Sequence, residues 1–160
     1  MSTHTLSLLV ENRHGALSRI ANLFSGRGYN ISSLTVAETD DATVSRMTIV
    51  VTGDESILEQ IVKQLNKLID VIKVIDFIGQ PIIERELLLV RIDTAKSNRR
   101  DIIDIVDLFK GRVVSVAQKS LTIELAGHSD ALEDFISMIK PFGIREIVRS
   151  GAIAIAKAKH

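Results

Sequence analysis

Ser56-Ile57-Leu58-Glu59-Gln60-Ile61-Val62-Lys63-Gln64-Leu65-Asn66-Lys67-Leu68-Ile69-Asp70-Val71-Ile72-Lys73-Val74-Ile75-Asp76-Phe77-Ile78, residues 56–78, carries the clearest pattern in the chain. Ile57, Leu58, Ile61, Val62, Leu65, Leu68 and Ile69 recur at helical spacing and form one apolar stripe, with Asp54 or Ser56 placed to cap its start. Val71 to Ile78 then reads as a strand. Upstream lie two β-rich segments, Ile31 to Glu38 and Thr43 to Thr52, parted by the turn-forming Thr39-Asp40-Asp41. In the second of these Met47, Ile49 and Val51 share a face. Before them a helix fits Gly15 to Ser25, because Ala16, Leu17, Ile20, Ala21 and Phe24 fall on one stripe, and Gly26 with Gly28 stops it. The chain opens on an alternating strand, Thr5 to Glu11. The order is βαββαβ.

The same order recurs after the breaker cluster Gly79-Gln80-Pro81. Strand Ile82 to Asp93 leads through the polar turn Thr94 to Asn98 into a helix with Ile102, Ile105, Val106 and Phe109 on one face, stopped by Gly111. Strands Arg112 to Gln118 and Leu121 to Ala126 follow. Ser129 is placed to cap a helix carrying Leu132, Phe135, Ile136 and Ile139, which Pro141 and Gly143 terminate. Ile144 to Ala156 reads as one last strand. The expectation is an α+β chain of two ferredoxin-like βαββαβ modules in tandem, residues 1–78 and 79–160. Each is near the lower size at which a domain stands alone. An open sheet with helices on one face leaves its other face and its edges to a second module or subunit, and Val113, Val114 and Val116 exceed what the chain's few helices can cover.

Composition narrows the function classes. Lys and Arg total 20, as do Asp and Glu, so the 160 residues carry no formal net charge and lack the basic surplus that phosphate contacts need. Cysteine is absent, which removes disulfides, thiolate nucleophiles and cysteine-held metals. No basic leader or bilayer-length apolar run is present. The expectation is a protein of the cytoplasm with no membrane and no nucleic-acid partner.

Candidate chemistry gathers at the first strand-to-helix junction, Glu11-Asn12-Arg13-His14-Gly15-Ala16-Leu17. Glycine lets a ligand approach the backbone, and the free N–H groups of a first helical turn receive anions such as a carboxylate. Asn12, and Asn30 at the mouth of the second strand, can add hydrogen bonds. The plain alternative is that Asn12 is a turn residue, Gly15 a backbone necessity and Asn30 a strand-entry residue. His4, His14, His128 and His160 lack metal-ligand spacing and read as lone surface side chains. Neither a nucleophile-elbow motif nor a phosphate-binding glycine loop occurs, so no catalytic and no metal-binding residue is assigned. An acylphosphatase-like enzyme built on Arg19 and Asn30 is the nearest enzymatic rival. An RNA-binding sheet is less favoured, because the third strand offers no aromatic for base stacking, and Arg99-Arg100 and the Lys157/Lys159 pair read as solvated faces.

Glu11-Asn12-x-x-Gly15-Ala16-Leu17-Ser18-Arg19, Leu23-Phe24-Ser25-x-Arg27-Gly28-Tyr29-Asn30-Ile31-x-Ser33-Leu34-Thr35-Val36, Ser45-Arg46-Met47-Thr48-Ile49 and Glu59-Gln60-Ile61-x-Lys63-Gln64-Leu65-x-Lys67-Leu68-x-Asp70-Val71 together resemble the small regulatory subunits of acetolactate (acetohydroxyacid) synthase. Glu84-Arg85-Glu86-Leu87, Phe142-Gly143-Ile144-x-Glu146 and Arg149-Ser150-Gly151 are similar to that family's C-terminal domain. His14 stands where many members have proline. The resemblance implies that residues 1–78 are an ACT domain for effector binding and dimerisation, pairing with a second copy and binding valine, or more weakly leucine or isoleucine, between the two. It implies effector contacts from Asn12, the N–H groups of Gly15, Ala16 and Leu17, Asn30 and Ile31. It further implies a catalytic large subunit as partner, carrying thiamine diphosphate, Mg²⁺ and FAD, with no cofactor on this chain. A free-standing ACT-type sensor acting on another partner is the alternative.

Overall fold

The computed structural model describes residues 2–25, 29–96 and 98–159. The expected helix stop at Gly26 and Gly28, Ser97 of the polar turn, and His160 lie outside them. Two compact units form, one from residues up to Ile83 together with those from Ala152 onward, the other from Glu84 to Gly151. The first unit follows the expected order: β1 (Ser2–Glu11), α1 (Ala16–Phe24), β2 (Asn30–Glu38), β3 (Val44–Gly53), α2 (Glu55–Leu65) and β4 (Val71–Asp76). Its antiparallel sheet runs β2-β3-β1-β4. Alternation puts Leu6, Leu8, Val10, Met47, Ile49 and Val51 on the face that Ile20, Phe24, Leu58, Ile61 and Leu65 of the two helices cover, and all are buried. Removing these side chains from water is the main stabilising term of so small a sheet, about 1.5–3 kcal/mol for each large one.

Local chemistry fixes the ends. The Asp54 carboxylate accepts from Ser56 N–H and caps α2. Asp41 accepts from both the N–H and the hydroxyl of Thr43, which closes the β2–β3 turn. The α2 stripe ends earlier than its periodicity predicts. Leu65 is its last buried residue, and Ile69 is 83% exposed in the turn beyond it.

The second unit comprises β5 (Ile82–Asp93, from Glu84 onward), α3 (Arg99–Leu108), β6 (Arg112–Val116), β7 (Ser120–Gly127), α4 (Ser129–Ile139) and β8 (Ile144–Arg149), with strand order β6-β7-β5-β8. Leu88, Val90, Ile92, Leu121, Ile123 and Leu125 meet Ile102, Val106, Leu132, Phe135 and Ile139 in its core. Val113, Val114 and Val116 are exposed on the outer strand, as the count of helices requires. Three expectations change here. His128, not Ser129, caps α4, its ring Nδ1 accepting from Asp130 N–H at 3.2 Å. Lys110, not Gly111, takes the left-handed position after α3, at φ 59. The final strand is two strands. It breaks at Gly151, whose φ of 85 suits glycine, and β9 (Ile153–Ala156) belongs to the first unit, where it pairs with the start of β5 and Lys157 N–H bonds Pro81 O. The packing boundary thus falls at Ile83 rather than residue 78, and the chain's end returns to the first unit.

Arg149 is the polar tie of the second unit. Its Nε and Nη2 grip both oxygens of the buried Glu86 at 2.9 and 3.0 Å, and Nη1 reaches Glu133 on α4 at 2.5 Å. These bonds, Glu86 foremost, hold the guanidinium above even the usual arginine range. A forked pair of this kind is expensive to halve. Arg149→Met is expected to cost about 3 kcal/mol because it strands the Glu86 charge. Glu133→Ala is expected to cost within about 1 kcal/mol. Urea midpoints of the two variants check the difference.

Candidate functional site

Gly15 ends the loop 12–15 at φ 82 and is the residue before α1, which has no side-chain cap. Its hydrogen-bond inventory is lean. Ala16 N–H turns back to Arg13 O at 3.3 Å, Arg19 N–H makes the first helical bond to Gly15 O, and among the described residues Gly15 N–H and Leu17 N–H find no acceptor. Of the three N–H groups expected to receive a carboxylate, two therefore have no partner among the described residues. The helix field adds about 0.3–1 kcal/mol for an anion placed there.

Asn12 is tied into the same corner. Its backbone N–H bonds Thr43 O, and its side-chain amide donates to Glu38 Oε1 and Ala42 O, each at 3.0 Å. Both amide protons are spent, so Oδ1 is left as an acceptor. An exposed carboxylate, an acceptor oxygen and two unpartnered N–H groups make a corner that suits a group carrying both an ammonium and a carboxylate. Leu17, 44% exposed on the first turn of α1, supplies apolar surface beside it.

Two residues that the sequence reading left out of the site shape it. Arg19, one helical turn after Gly15, donates Nε to Asp70 Oδ2 at 2.5 Å and Nη2 to His14 O, and a Cβ built on Gly15 would meet its Nη1 at 3.1 Å. Asp70 is buried, and its backbone carbonyl accepts from Glu11 N–H. The Arg19 hydrogen bond holds the Asp70 carboxyl below its ordinary range, against the opposing pull of burial. Neither residue announces itself locally: Arg19 lies off the apolar stripe of α1 on its exposed side, and Asp70 sits in the turn before β4. Arg13 in turn pairs with Glu11 at 2.7 Å. Both guanidinium groups of the loop are thus locally neutralised, and the corner holds no free excess of positive charge.

Asn30 and Ile31 lie elsewhere. Asn30 opens β2 opposite Thr52, exposed, and Ile31 is half-buried opposite Val51, whereas the Asn12 loop sits beyond Val44 at the other end of β3. At ~3.3 Å per residue the two ends are about 30 Å apart. Tyr29 pins the Asn30 end by lying across Gly53, where a Cβ would enter its ring, and by donating its hydroxyl to Asp54 O at 2.8 Å. One chain therefore brings Asn12, Gly15, Ala16 and Leu17 together and keeps Asn30 and Ile31 apart from them. The same separation dismantles the acylphosphatase-like pairing, since Arg19 is bound to Asp70 and Asn30 is at the far end of the sheet.

His4 is also not the surface residue its position suggested. Because β1 extends back to Ser2, the ring is buried, with Nε2 3.1 Å from Ser2 Oγ and Nδ1 3.5 Å from Asp76. Among the described residues no three metal-ligating side chains converge, and no helix is long and apolar enough to cross a membrane.

Residues 6–73 match the family described as the AHAS small subunit-like ACT domain, and residues 85–158 the family described as the small subunit of acetolactate synthase. The chain is 50% identical to the acetolactate synthase small subunit of Haemophilus influenzae over 96% of its own length and 95% of that protein's. It is 44% identical to the probable acetolactate synthase small subunit of Archaeoglobus fulgidus, with 96% of each covered. The crystal structure of the Thermotoga maritima acetolactate synthase small subunit superposes on all of both chains with a TM-score of 0.90 at 34% identity.

The Arg19–Asp70 pair gives the acid limb of stability a definite sign. A carboxyl whose pKa is depressed by folding contributes stability above its unfolded value, and that contribution is lost as pH falls through the folded one. Asp70→Asn is expected to be less stable than the parent at neutral pH, and the gap is expected to narrow progressively below about pH 4. Thermal melts of both proteins across that range test it.

Proposed function

Because the chain belongs to the acetolactate synthase small-subunit family, with an ACT domain in its first half, we propose that it is the regulatory partner of a catalytic large subunit, raising its activity and making it sensitive to valine. The condensation of two pyruvates, or of pyruvate with 2-oxobutyrate, belongs to that large subunit, with its thiamine diphosphate, Mg²⁺ and FAD, in the cytoplasm. This chain acts by binding. Its valine carboxylate is received by the N–H groups of the Gly15–Leu17 turn, its ammonium by Asn12 Oδ1, and the site is completed by Asn30 and Ile31 of a second copy.

The observation that carries this reading is the separation of Asn12 from Asn30 along β3. β2 is an edge strand, and among the described residues no strand pairs with its outer side. If two copies join antiparallel along β2 about a two-fold axis near Leu34, Asn30 of the second copy comes level with Glu38, the residue to which Asn12 donates. Two such sites form per dimer, and each is incomplete without its partner. A site differing by one methylene discriminates by only about 1–3 kcal/mol, so leucine and isoleucine act more weakly at the same place. Linkage also requires that if valine opposes the activated complex, that complex weakens valine binding by the same factor, typically about 1–3 kcal/mol of coupling.

Mixing two defective chains tests the shared site directly. Asn12→Ala and Asn30→Ala chains are each expected to bind no valine in isothermal titration. Equal amounts, unfolded and refolded together, are expected to recover about a quarter of the parent's sites, because half the dimers carry one intact site each. A site within one chain recovers nothing. Gly15→Asp forces a side chain into the left-handed region and sets a carboxylate against Arg19 Nη1. Acetolactate formation by the reconstituted holoenzyme with this variant is expected to stay activated and lose its inhibition by valine.

A further inference from the structure

Ala152 is held in an unusual way. Its N–H donates to Ser33 Oγ at 2.8 Å and its carbonyl accepts from Thr35 Oγ1 at 3.2 Å, so both backbone groups of this buried residue are satisfied by side chains of β2 and not by a strand ladder. Beneath lies a polar row, since Thr35 pairs with Thr48 and Thr48 with Ser7 across the sheet. Thr48 and Ser7 are buried, and β9 lies against β1. Ala152 itself is buried while Ser33 and Thr35 are half-buried, so losing either partner leaves a buried backbone group of Ala152 unsatisfied, which is costly.

What stands on either side of the grip gives it meaning. On β2, the register slips between Ile31 and Ser33, so one irregular residue, Ser32, separates Asn30 and Ile31 from the first hydroxyl. Along the C-terminal chain, Ser150 N–H bonds Leu87 O, and Ser150 Oγ accepts from Leu87 N–H, both within the second unit. Ser150 is therefore fastened to β5 and Ala152 to β2, with Gly151 alone between them. Between the start of β2 and the second unit thus lie Ser32, the hydroxyl grip on Ala152, and Gly151.

We propose that Ser33 and Thr35 are positioning residues that carry the valine signal, by gripping Ala152 so that a change at the start of β2 is passed through Gly151 to the second unit. The inference rests on the effector reading above. Binding at Asn30 and Ile31 shifts the bulge at Ser32, and with it the hydroxyls that hold Ala152. Without the hydroxyls the same binding leaves the C-terminal chain where it was. Neither side chain is assigned to the effector pocket, so binding and response separate when they are removed.

The test uses the full chain with its large subunit. The Ser33→Ala/Thr35→Val protein is expected to bind valine by isothermal titration with a dissociation constant within about threefold of the parent's and to activate the large subunit fully. Its coupling factor, the ratio of acetolactate activity without valine to that at saturating valine, is expected to fall at least about fivefold toward unity. Ser33→Thr, which keeps the hydroxyl, is expected to restore it. Parent-like inhibition in the double variant overturns the proposal. So does loss of valine binding in step with inhibition, which marks the two residues as structural. Failure of the effector reading looks different, because the unsubstituted chain itself then shows no saturable valine binding.

Discussion

The ladder between β1 and β3 governs this molecule. Ten residues, Ser2 to Glu11, pair antiparallel with Gly53 to Val44 without a slip. Side chains alternate across a strand, so this one register decides at once which residues enter the core and which line the other face. It also sets the reach of the sheet. The loop that follows β1 must sit at one end, and the residue that opens β2 must sit at the other. The proposed two-copy site is a consequence of that length: polar groups that one chain holds far apart can meet only through symmetry.

The charges around the loop serve precision more than attraction. Arg13 and Arg19 each answer a carboxylate of the same chain, Glu11 and Asp70. A neutralised corner gives no broad pull on anions, so recognition falls to directed hydrogen bonds, which suits a small zwitterion better than a phosphate. Asp70 joins α1 to the turn before β4 through Arg19, and it holds Glu11 through its carbonyl. The loop before α1 is therefore tied, through Arg19 and the His14 carbonyl, to a carboxylate in the turn before β4.

Much of the fold was legible because its signals are periodic. Leu6, Leu8 and Val10, or Leu121, Ile123 and Leu125, announce their face by alternation, and the α2 stripe announces its helix. Ile69 and Ser129 were misplaced because periodicity and capping preference say nothing about where a turn takes over, and the ring of His128 competed successfully for the cap. The return of β9 was hidden for a different reason. Ile144 to Ala156 is uniformly strand-like, and only Gly151 marks the break. The loop side of the candidate site could be read from the glycine and the amide that precede a helix. Arg19 and Asp70 could not, since a long-range ion pair leaves no mark on local pattern.

The excursion of β9 makes the second unit an insertion within the first, leaving the chain by Ile83 and rejoining it at Ala152. On the ribosome this imposes an order of events. The first four strands can pair as soon as they emerge, but the strap that lies against β1 and is held by Ser33 and Thr35 is made last. At ~5–20 residues per second the intervening stretch delays it by several seconds. Throughout that time the hydroxyls of Ser7, Thr35 and Thr48 stay open to water, in a row where apolar side chains would invite aggregation. The row of serine and threonine under β9 is thus suited to a surface that must be wet before it is dry.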